Sequence, residues 1–504
     1  MLLSLEQVAN FTGATIEGAP ECLKRNACGI TWDSREVQPG YVYVALPGER
    51  VDGHSFVASA FESGAVAALV MQDLPEDVHA CARAHEALIL SVESTHRAFT
   101  DLAQGYRSVL SGRVIGITGS TGKTTTKNLV RDVLSAGFST VATKANQNNE
   151  LGVPRTLLNA DPDTEMIVVE MGMRGQGQIE QLCDFVKPEW GLITNVGESH
   201  IELLGSREKI ARAKAELFSA LPSEEGVAFI NIADDMTDFV RSIAQDAGFK
   251  GAYASFDGTG NIPNVSIAQE AANQADQTKN ICQAPVVWAE DIHLDDKGCP
   301  SFILCAQGFA QEEPGVIECS RCSLSLRGIH NVSNACSAAA VGRMAGMTLE
   351  EIVRALEASQ PESGRQEILH SQKGYIVIND AYNANPDSMR ASLNLLRAME
   401  VKGRRFAVLG DMGELGSFSQ ACHESVGVAA AHANLDCLIC VGQLARFIAQ
   451  AAEKEGLNTK HIVLVNTRDE ALAFLKEQMT PEDAVLVKAS HFMELDRVAK
   501  GLLD

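Results

Sequence analysis

Basic charge is what this chain lacks most: 42 Lys and Arg stand against 65 Asp and Glu, a formal net charge of −23 over 504 residues. A polyanion is held by neutralising its phosphates with Lys and Arg, so this balance excludes a general nucleic-acid binder and leaves any anionic ligand to a local device. Long apolar runs are also missing. No stretch approaches the roughly 18 uninterrupted apolar residues that a membrane span needs, and the N-terminus opens with Ser4 and Glu6 in place of a basic and then apolar leader. A cytoplasmic protein with no membrane or nucleic-acid partner is expected, with a monomer as the simplest state. The 13 cysteines are odd in number and scattered, which fits reduced thiols better than a disulfide framework. Two CxxC pairs, Cys319 with Cys322 and Cys437 with Cys440, could supply four thiolates to zinc. Nothing makes them neighbours, and Leu438 and Ile439 read as a buried strand whose side chains alternate faces, so incidental cysteine is the expected role.

At roughly 150 residues per domain the length suggests about three domains. Residues 1 to about 97 mix short strands with Gly and Pro turns, as in Gly40 to Gly48, followed by an Ala-rich helical stretch from Phe56 to Ala67. They predict a small N-terminal α/β domain. From Arg113, β-branched runs alternate with amphipathic segments: Val114 to Thr118, Met166 to Glu170, Gly191 to Asn195 and Val227 to Asn231. That rhythm predicts a central unit, 98–360, with a mostly parallel sheet covered by helices. Residues from about Ser266 to Gly315 are polar, Gln-rich and irregular, after which Cys322 to Leu326 alternates like an antiparallel strand. A turn-rich break at Pro361 to Gly364 opens a third unit, 361–504, with strands at Tyr375 to Asn379, Phe406 to Gly410, Cys437 to Val441, Ile462 to Val465 and Ala484 to Val487. It reads as a second, Rossmann-like doubly wound domain. No internal repeat or low-complexity tract stands out.

The strongest chemical signal is the apolar strand from Val114 running into Gly119-Ser120-Thr121-Gly122-Lys123-Thr124-Thr125 and then a helical pattern. Phosphate oxygens need backbone N–H donors at close range, which glycines permit, together with a helix N-terminus and one cation. Lys123 is placed to reach the β- and γ-phosphates and Thr124 to ligate Mg²⁺. The spacing departs from the common form, because Ile117 stands six residues before Lys123 where a glycine is usual. Other strand ends offer Glu170, a carboxylate that could hold Mg²⁺ beside the phosphates, and His200 in Gly197-Glu198-Ser199-His200. A lone histidine is more often structural, and Lys214 by itself reads as a solvated helix face.

In that order, Thr-Gly-x-x-Gly-Lys-Thr-Thr, a strand-end Glu, Thr-Asn-Val-Gly-x-x-His and Ala-Lys-x-Glu, the chain resembles the Mur ligase family, ATP-dependent amino-acid-adding enzymes of peptidoglycan precursor synthesis. The resemblance implies that Lys214 is carbamylated and shares a second Mg²⁺ with His200. A carbamate forms only on a neutral amine, so burial near other cationic charge would have to lower that lysine's pKa. It further implies that Ser34 and Arg35, in Asp33-Ser34-Arg35, belong to the domain that holds the UDP moiety. Asn331 and Asn334, in His330-Asn331-x-x-Asn334, would lie on the adenine side, and Arg365 would lie near the phosphates with Asp380 on the nucleotide side.

The segments carrying Asn148 and Asn149, then Tyr382, Asn383 and Asn385, and Leu409 to Gly416 resemble the members that add D-alanyl-D-alanine to UDP-N-acetylmuramoyl-tripeptide. They imply an acyl-phosphate route and domain closure on ATP. The rivals are a ligase of this superfamily with another acceptor, such as a folylpolyglutamate-type enzyme, and a nucleotide-binding subunit that ligates nothing. One departure stands out: Lys488-Ala489-Ser490-His491 occurs where Lys-Gly-Ser-Arg is expected. The alanine adds a Cβ and the histidine removes a permanent bidentate cation.

Overall fold

The computed structural model describes residues 1–48, 51–145, 147–261, 285–309, 316–362 and 364–503. Three α/β units follow one another, each built on a mostly parallel sheet. The central one has nine strands among the described residues, and those in its middle, such as Met166–Glu170 and Trp190–Ile193, are apolar runs buried on both faces. Parallel strands sandwiched between helix layers read as such continuous apolar runs. Seven run parallel in the order Val286–Leu294, Ala252–Asp257, Val227–Asn231, Trp190–Ile193, Arg113–Thr118, Met166–Glu170 and Thr140–Ala142. Pro300–Gln307 and Ile317–Ser323 extend the sheet antiparallel. After Arg113–Thr118 the chain first builds one side of the sheet and then crosses to the other, so the order reverses at this strand. Ligand crevices form at the carboxyl ends of strands at such a switch point.

The N-terminal sheet runs Thr15–Glu17, Leu88–Ser91, Ala67–Val70, Tyr41–Val44 and Gly29–Thr31, parallel except for the first strand. Here the expected helix from Phe56 to Ala67 is corrected. The helix spans Val57–Glu62 only, and Ala67 opens a fully buried strand paired with Tyr41–Val44 and Leu88–Ser91. Pairing on both sides outweighs the helix preference of alanine. The irregular reading of 266–315 is also corrected in part, since Val286–Leu294 and Pro300–Gln307 are strands. Residues 266–284 and 310–315 of that segment lie outside those described.

The C-terminal sheet has the order Glu367–His370, Ile376–Asn379, Ala484–Lys488, Arg405–Gly410, Cys437–Val441 and Ile462–Val465, antiparallel only at its first strand. The helix Thr95–Arg107 runs across the junction expected at 97/98 and buries Phe99, Leu102 and Tyr106. No helix among the described residues is long and apolar enough to cross a membrane.

Cysteine departs from expectation at one place. Cys305 and Cys319 stand directly opposite on adjacent antiparallel strands and form a disulfide. That removes Cys319 from its CxxC pair, while burial pushes the Cys322 thiol up to about 12 and Cys437 up to about 11. Among the described residues no group of three or more metal-ligating side chains converges.

The loop after Arg405–Gly410 is anchored from two sides. Asp411 accepts from the backbone N–H of Leu444 at 3.0 Å and of Ala445 at 2.7 Å, at the start of the helix Ala445–Lys454. His423, fully buried, accepts at Nε2 from the Met412 N–H at 3.0 Å, and its Nδ1 lies 2.7 Å from the Ser419 carbonyl. Only a neutral ring carrying its proton on Nδ1 can make both contacts, and burial holds the His423 pKa below its ordinary value although Asp411 opposes the shift. The unfolded chain therefore takes up a proton below about pH 6.5 that the folded chain refuses. The contribution of this site to stability should be complete above that pH and should fall as pH drops toward 5. Urea unfolding of the C-terminal unit at pH 7.5 and 5.0 should show that loss, and His423→Gln should remove part of it. Identical pH slopes in parent and variant would refute the assignment.

Candidate active site

Three neighbouring strands of the central sheet end at one place. Arg113–Thr118 delivers the glycine loop and Met166–Glu170 delivers Glu170. Just past Trp190–Ile193 come Thr194 and Asn195. The loop backbone is possible only with glycine at two points. Gly119 has φ +154° and a Cβ there would stand 1.8 Å from Thr194 Oγ1; Gly122 has φ +76° and a Cβ would meet Asn334 Oδ1 at 2.7 Å. Asn195 seals the turn, its carbonyl accepting from Ser120 N–H and its Oδ1 from Thr121 N–H, both at 3.0 Å. Thr194 Oγ1 donates to the Thr121 carbonyl at 2.6 Å. The helix Lys123–Ser135 follows, and its first-turn N–H groups, those of Lys123, Thr124 and Thr125, have no intrahelical acceptor. Lys123 Nζ donates to the carbonyls of Gly119 at 2.8 Å and Ser120 at 3.3 Å. The unusual spacing before Lys123 thus still builds an anion cradle.

Glu170 is 1 % exposed, and its two oxygens differ. Oε1 accepts from Thr124 Oγ1 at 3.2 Å and Asn148 Nδ2 at 2.8 Å; Oε2 is buried with no hydrogen-bond partner. A buried carboxylate oxygen left unmet is costly, and it suits a hard cation. Thr143 steadies this strand end, accepting at Oγ1 from the Glu170 N–H at 3.0 Å. Lys127, not foreseen in the sequence, donates to the Thr143 carbonyl at 2.8 Å and fixes that segment to the glycine-loop helix.

Lys214 is no solvated residue. It is 1 % exposed on the helix Arg207–Ser219, and burial first, then the Lys123 charge, lowers its pKa well below the ordinary value. That is the condition for a neutral amine at physiological pH. Burial also lowers the Lys123 pKa, aided by Arg365 and opposed by Glu170. His200 sits at the start of the short helix Ile201–Leu204 with φ +65°. Its Nδ1 lies 2.6 Å from Glu414 Oε2, yet off the ring N–H direction, so no aligned hydrogen bond forms.

A cavity of about 1310 Å³ joins these groups to the C-terminal unit. Gly119 to Thr125, Asn148, Asn149, Glu170, His200, Lys214, Asn331, Asn334, Arg365, Asp380, Tyr382, Asn383 and Asn385 all line it. Ser34 and Arg35 do not. Arg35 is largely exposed and paired with Asp33 at 2.6 Å, and their turn reaches the central unit through Glu36 and Arg155, also at 2.6 Å.

On the far wall, Arg365 lies over the Tyr382 ring at 4.3 Å. Asp380 is engaged by Lys488 Nζ at 2.7 Å, by Ser392 Oγ and by the Gln366 N–H. Asn385 caps the helix Pro386–Ala398 and donates across the cavity to Ser199 Oγ at 2.7 Å. Asn149 accepts from the Gly152 N–H at 3.0 Å, so it shapes its loop as well as the wall. Asn331 and Asn334 hydrogen-bond to each other, and Thr126 Oγ1 donates to Asn334 Oδ1 at 3.1 Å.

Lys488 and Glu414 were missed as site residues, although both lie in segments singled out in the sequence. Their roles arise from partners 108 residues away for Lys488 and in another unit for Glu414. The departures at Ala489 and His491 also have places. Ala489 is fully buried against Gly410, where an added Cβ would stand 2.7 Å from the alanine's, so the methyl of Ala489 fits because position 410 carries none. His491 lies beside Tyr382, ring centroids 5.9 Å apart.

Similarity to known proteins follows this geometry. Residues 27–107 match the Mur ligase family catalytic domain, 117–342 the Mur ligase middle domain and 364–491 the Mur ligase glutamate ligase domain. The chain is 33% identical to the UDP-N-acetylmuramoyl-tripeptide–D-alanyl-D-alanine ligase of Bacillus subtilis (strain 168), over 94% of this chain and 93% of that one. Crystal structure I of MurF from Acinetobacter baumannii matches with TM-score 0.80 and 29% identity, covering 100% of this chain and 99% of that one. MurF ligase from Thermotoga maritima, solved in complex with ADP, matches with TM-score 0.72 and 25% identity over 95% and 97%. The chain belongs to the Mur ligase family, and its likeness within that family is to the members that carry D-alanyl-D-alanine in their names.

Proposed function

We propose that this protein joins the terminal carboxyl of UDP-N-acetylmuramoyl-tripeptide to the amine of D-alanyl-D-alanine, with ATP converted to ADP and phosphate. One observation carries the reading. A single cavity holds a phosphate cradle, a buried carboxylate oxygen with no partner, His200, and Lys214 with its pKa lowered by burial, and Arg365 reaches it from the third unit. The full-length similarity to D-alanyl-D-alanine-adding enzymes selects the substrates.

Condensation of a carboxylate with an amine is opposed by water, so the carboxylate must first be activated. Attack of the tripeptide carboxylate on the γ-phosphorus forms a C–O–P bond and releases ADP; attack of the amine on that acyl phosphate then forms the amide, expels phosphate and gives up a proton. Phosphoryl transfer asks the protein for positioning and charge neutralisation more than for covalent help. Lys123 and the first-turn N–H groups of its helix supply both, and Arg365 adds positive charge from the opposite wall. Thr124 and the free oxygen of Glu170 suit one Mg²⁺, and His200 with a carbamylated Lys214 suits a second; when bound, these ions would offset charge on the phosphates. Lys214 acquires its carbamate by attack of the neutral amine on CO₂, which forms an N–C bond, releases a proton and leaves one negative charge.

Labour divides in this proposal among residues 1–97, which hold the UDP moiety, 98–360, which bind ATP, and 361–504, which complete the nucleotide and amino-substrate site. Ser34 and Arg35 would meet the uridine end, far from the reacting carboxyl. Substrates of this kind and the absence of any basic surface excess fit a cytoplasmic monomer.

Phosphate release from MgATP with UDP-N-acetylmuramoyl-tripeptide should require D-alanyl-D-alanine, and mass spectrometry should find the pentapeptide. Turnover indifferent to both substrates, or product with D-Glu, diaminopimelate, lysine or a folate in place of the dipeptide, would move a rival to the front. Protein equilibrated with ¹³C-bicarbonate should show a carbamate carbon by NMR that Lys214→Ala abolishes; the same signal in the variant would exclude Lys214 as its carrier. Small-angle scattering should detect compaction when a non-hydrolysable ATP analogue and tripeptide bind together, and an unchanged radius of gyration would rule out closure.

A further inference from the structure

The loop Asp411 to Gly416 belongs to the C-terminal unit but ends against the central one. Its base is rigid, because Asp411 is held by the Leu444 and Ala445 N–H groups and Met412 by His423. Its tip carries Glu414, whose Oε2 stands 2.6 Å from His200 Nδ1 and whose Oε1 stands 3.4 Å from Arg174 Nε, both residues of the central unit. Gly416 follows with φ +49°, and a Cβ there would lie 2.5 Å from Glu202 Cγ on the helix that His200 opens. The tip is therefore seated on that helix with no room for a side chain at 416. His200 and Glu414 themselves both adopt left-handed backbone, φ +65° and +61°. Strain of this kind persists where the surroundings over-determine a conformation, and it clusters at functional sites.

A histidine that ligates a metal through one ring nitrogen needs an acceptor for the N–H on the other, which fixes its tautomer and raises its basicity. Among the described residues, Glu414 is the only carboxylate found within salt-bridge distance of the His200 ring. The pair is close but not aligned, as catalytic contacts commonly are before ligands draw a site together.

We propose that Glu414 is a positioning residue supplied by the C-terminal unit: it accepts a hydrogen bond from the Nδ1–H of His200, directs Nε2 to the cation, and so makes the second cation site complete only when the units meet. Arg174 holds the other carboxylate oxygen and keeps Glu414 from turning away. This inference rests on His200 being a metal ligand, as in the function proposed above. It assigns a task to the Gly-Glu-Leu-Gly end of a segment whose Asp end is accounted for by helix capping.

The test is a manganese titration followed by electron paramagnetic resonance, with a non-hydrolysable ATP analogue and UDP-N-acetylmuramoyl-tripeptide present, on the parent, His200→Ala, Glu414→Ala and Glu414→Gln. His200→Ala identifies which ion depends on the histidine. Glu414→Ala should weaken that ion about ten- to a hundredfold and leave the other within twofold. Glu414→Gln, isosteric and still an acceptor through its amide oxygen, should fall between. A His200-dependent ion that Glu414→Ala leaves unchanged would overturn the positioning role, and one that binds tighter would show that Glu414 competes with the cation. A parent whose manganese stoichiometry does not change in His200→Ala would overturn the metal reading itself, and this proposal with it.

Discussion

The grip of Thr194 and Asn195 on the glycine loop is the constraint on which the rest of the site depends. Both residues sit just beyond the last paired position of their strand, so the register of the parallel sheet sets where they meet the loop. Asn195 uses the N–H groups of Ser120 and Thr121. Two donors that a looser glycine turn would offer to an anion are thereby spent on shape. In the proposed function phosphate binding is left to the first turn of the helix and to Lys123, which would place the charge at one end of the cavity. Glu170, one strand over, then falls beside Thr124, and their 3.2 Å contact follows from the sheet.

This arrangement resolves a tension in the composition. A protein of net charge −23 must hold a polyanion, and it meets it with a few placed cations in a cavity that acidic and basic side chains line in nearly equal number. Lys123, Lys214 and Arg365 line the cavity and Lys127 lies behind it, against Glu170 on the glycine-loop side. The Lys488–Asp380 pair is internally balanced. Buried cations without matching anions are costly, and here the cost appears as lowered pKa values for Lys123, Lys127 and Lys214, with burial the largest cause in each. An arriving polyphosphate offsets that penalty for Lys123. In the proposed function Lys214 is relieved differently, by a carbamate that would make it an anion.

How much of this could be read from the chain depends on whether the signal is local. The glycine loop and the strands around it were legible because close backbone approach demands glycine at fixed offsets and buried parallel strands demand β-branched runs. Glu170 could be placed at a strand end but not seen to have one oxygen engaged and one free, because Asn148 reaches it from another segment. Lys214 resembled a surface lysine because its helix shows a lysine among alanines, and only tertiary packing buries it. Ala67 looked helical until two strands paired with it. Cys305 and Cys319 face each other only through the register of a hairpin whose strands the Gln-rich composition around them concealed. Ser34 and Arg35 were located by likeness alone, and the fold puts them outside the central cavity.

The junctions between units differ in kind. The N-terminal and central units share the helix Thr95–Arg107, which buries Phe99, Leu102 and Tyr106 and ties Tyr106 Oη to the Ala160 carbonyl at 2.8 Å. Burying three such side chains stabilises by several kcal/mol, at about 1.5–3 kcal/mol each. Across to the C-terminal unit polar contacts stand beside apolar packing, since buried residues of all three units share one cluster. Asn385 meets Ser199 at 2.7 Å, Glu414 meets His200 and Arg174, and the Glu400 N–H meets the Asp296 carbonyl at 3.2 Å. Polar contacts of this sort contribute about 0.5–1.5 kcal/mol each once water is accounted for. A few such bonds lie well below the roughly 8 kcal/mol available from a micromolar ligand. A ligand therefore has enough free energy to remake those polar contacts. The residues that would register its arrival, Arg365, Asn385 and Glu414, are all carried on the C-terminal unit.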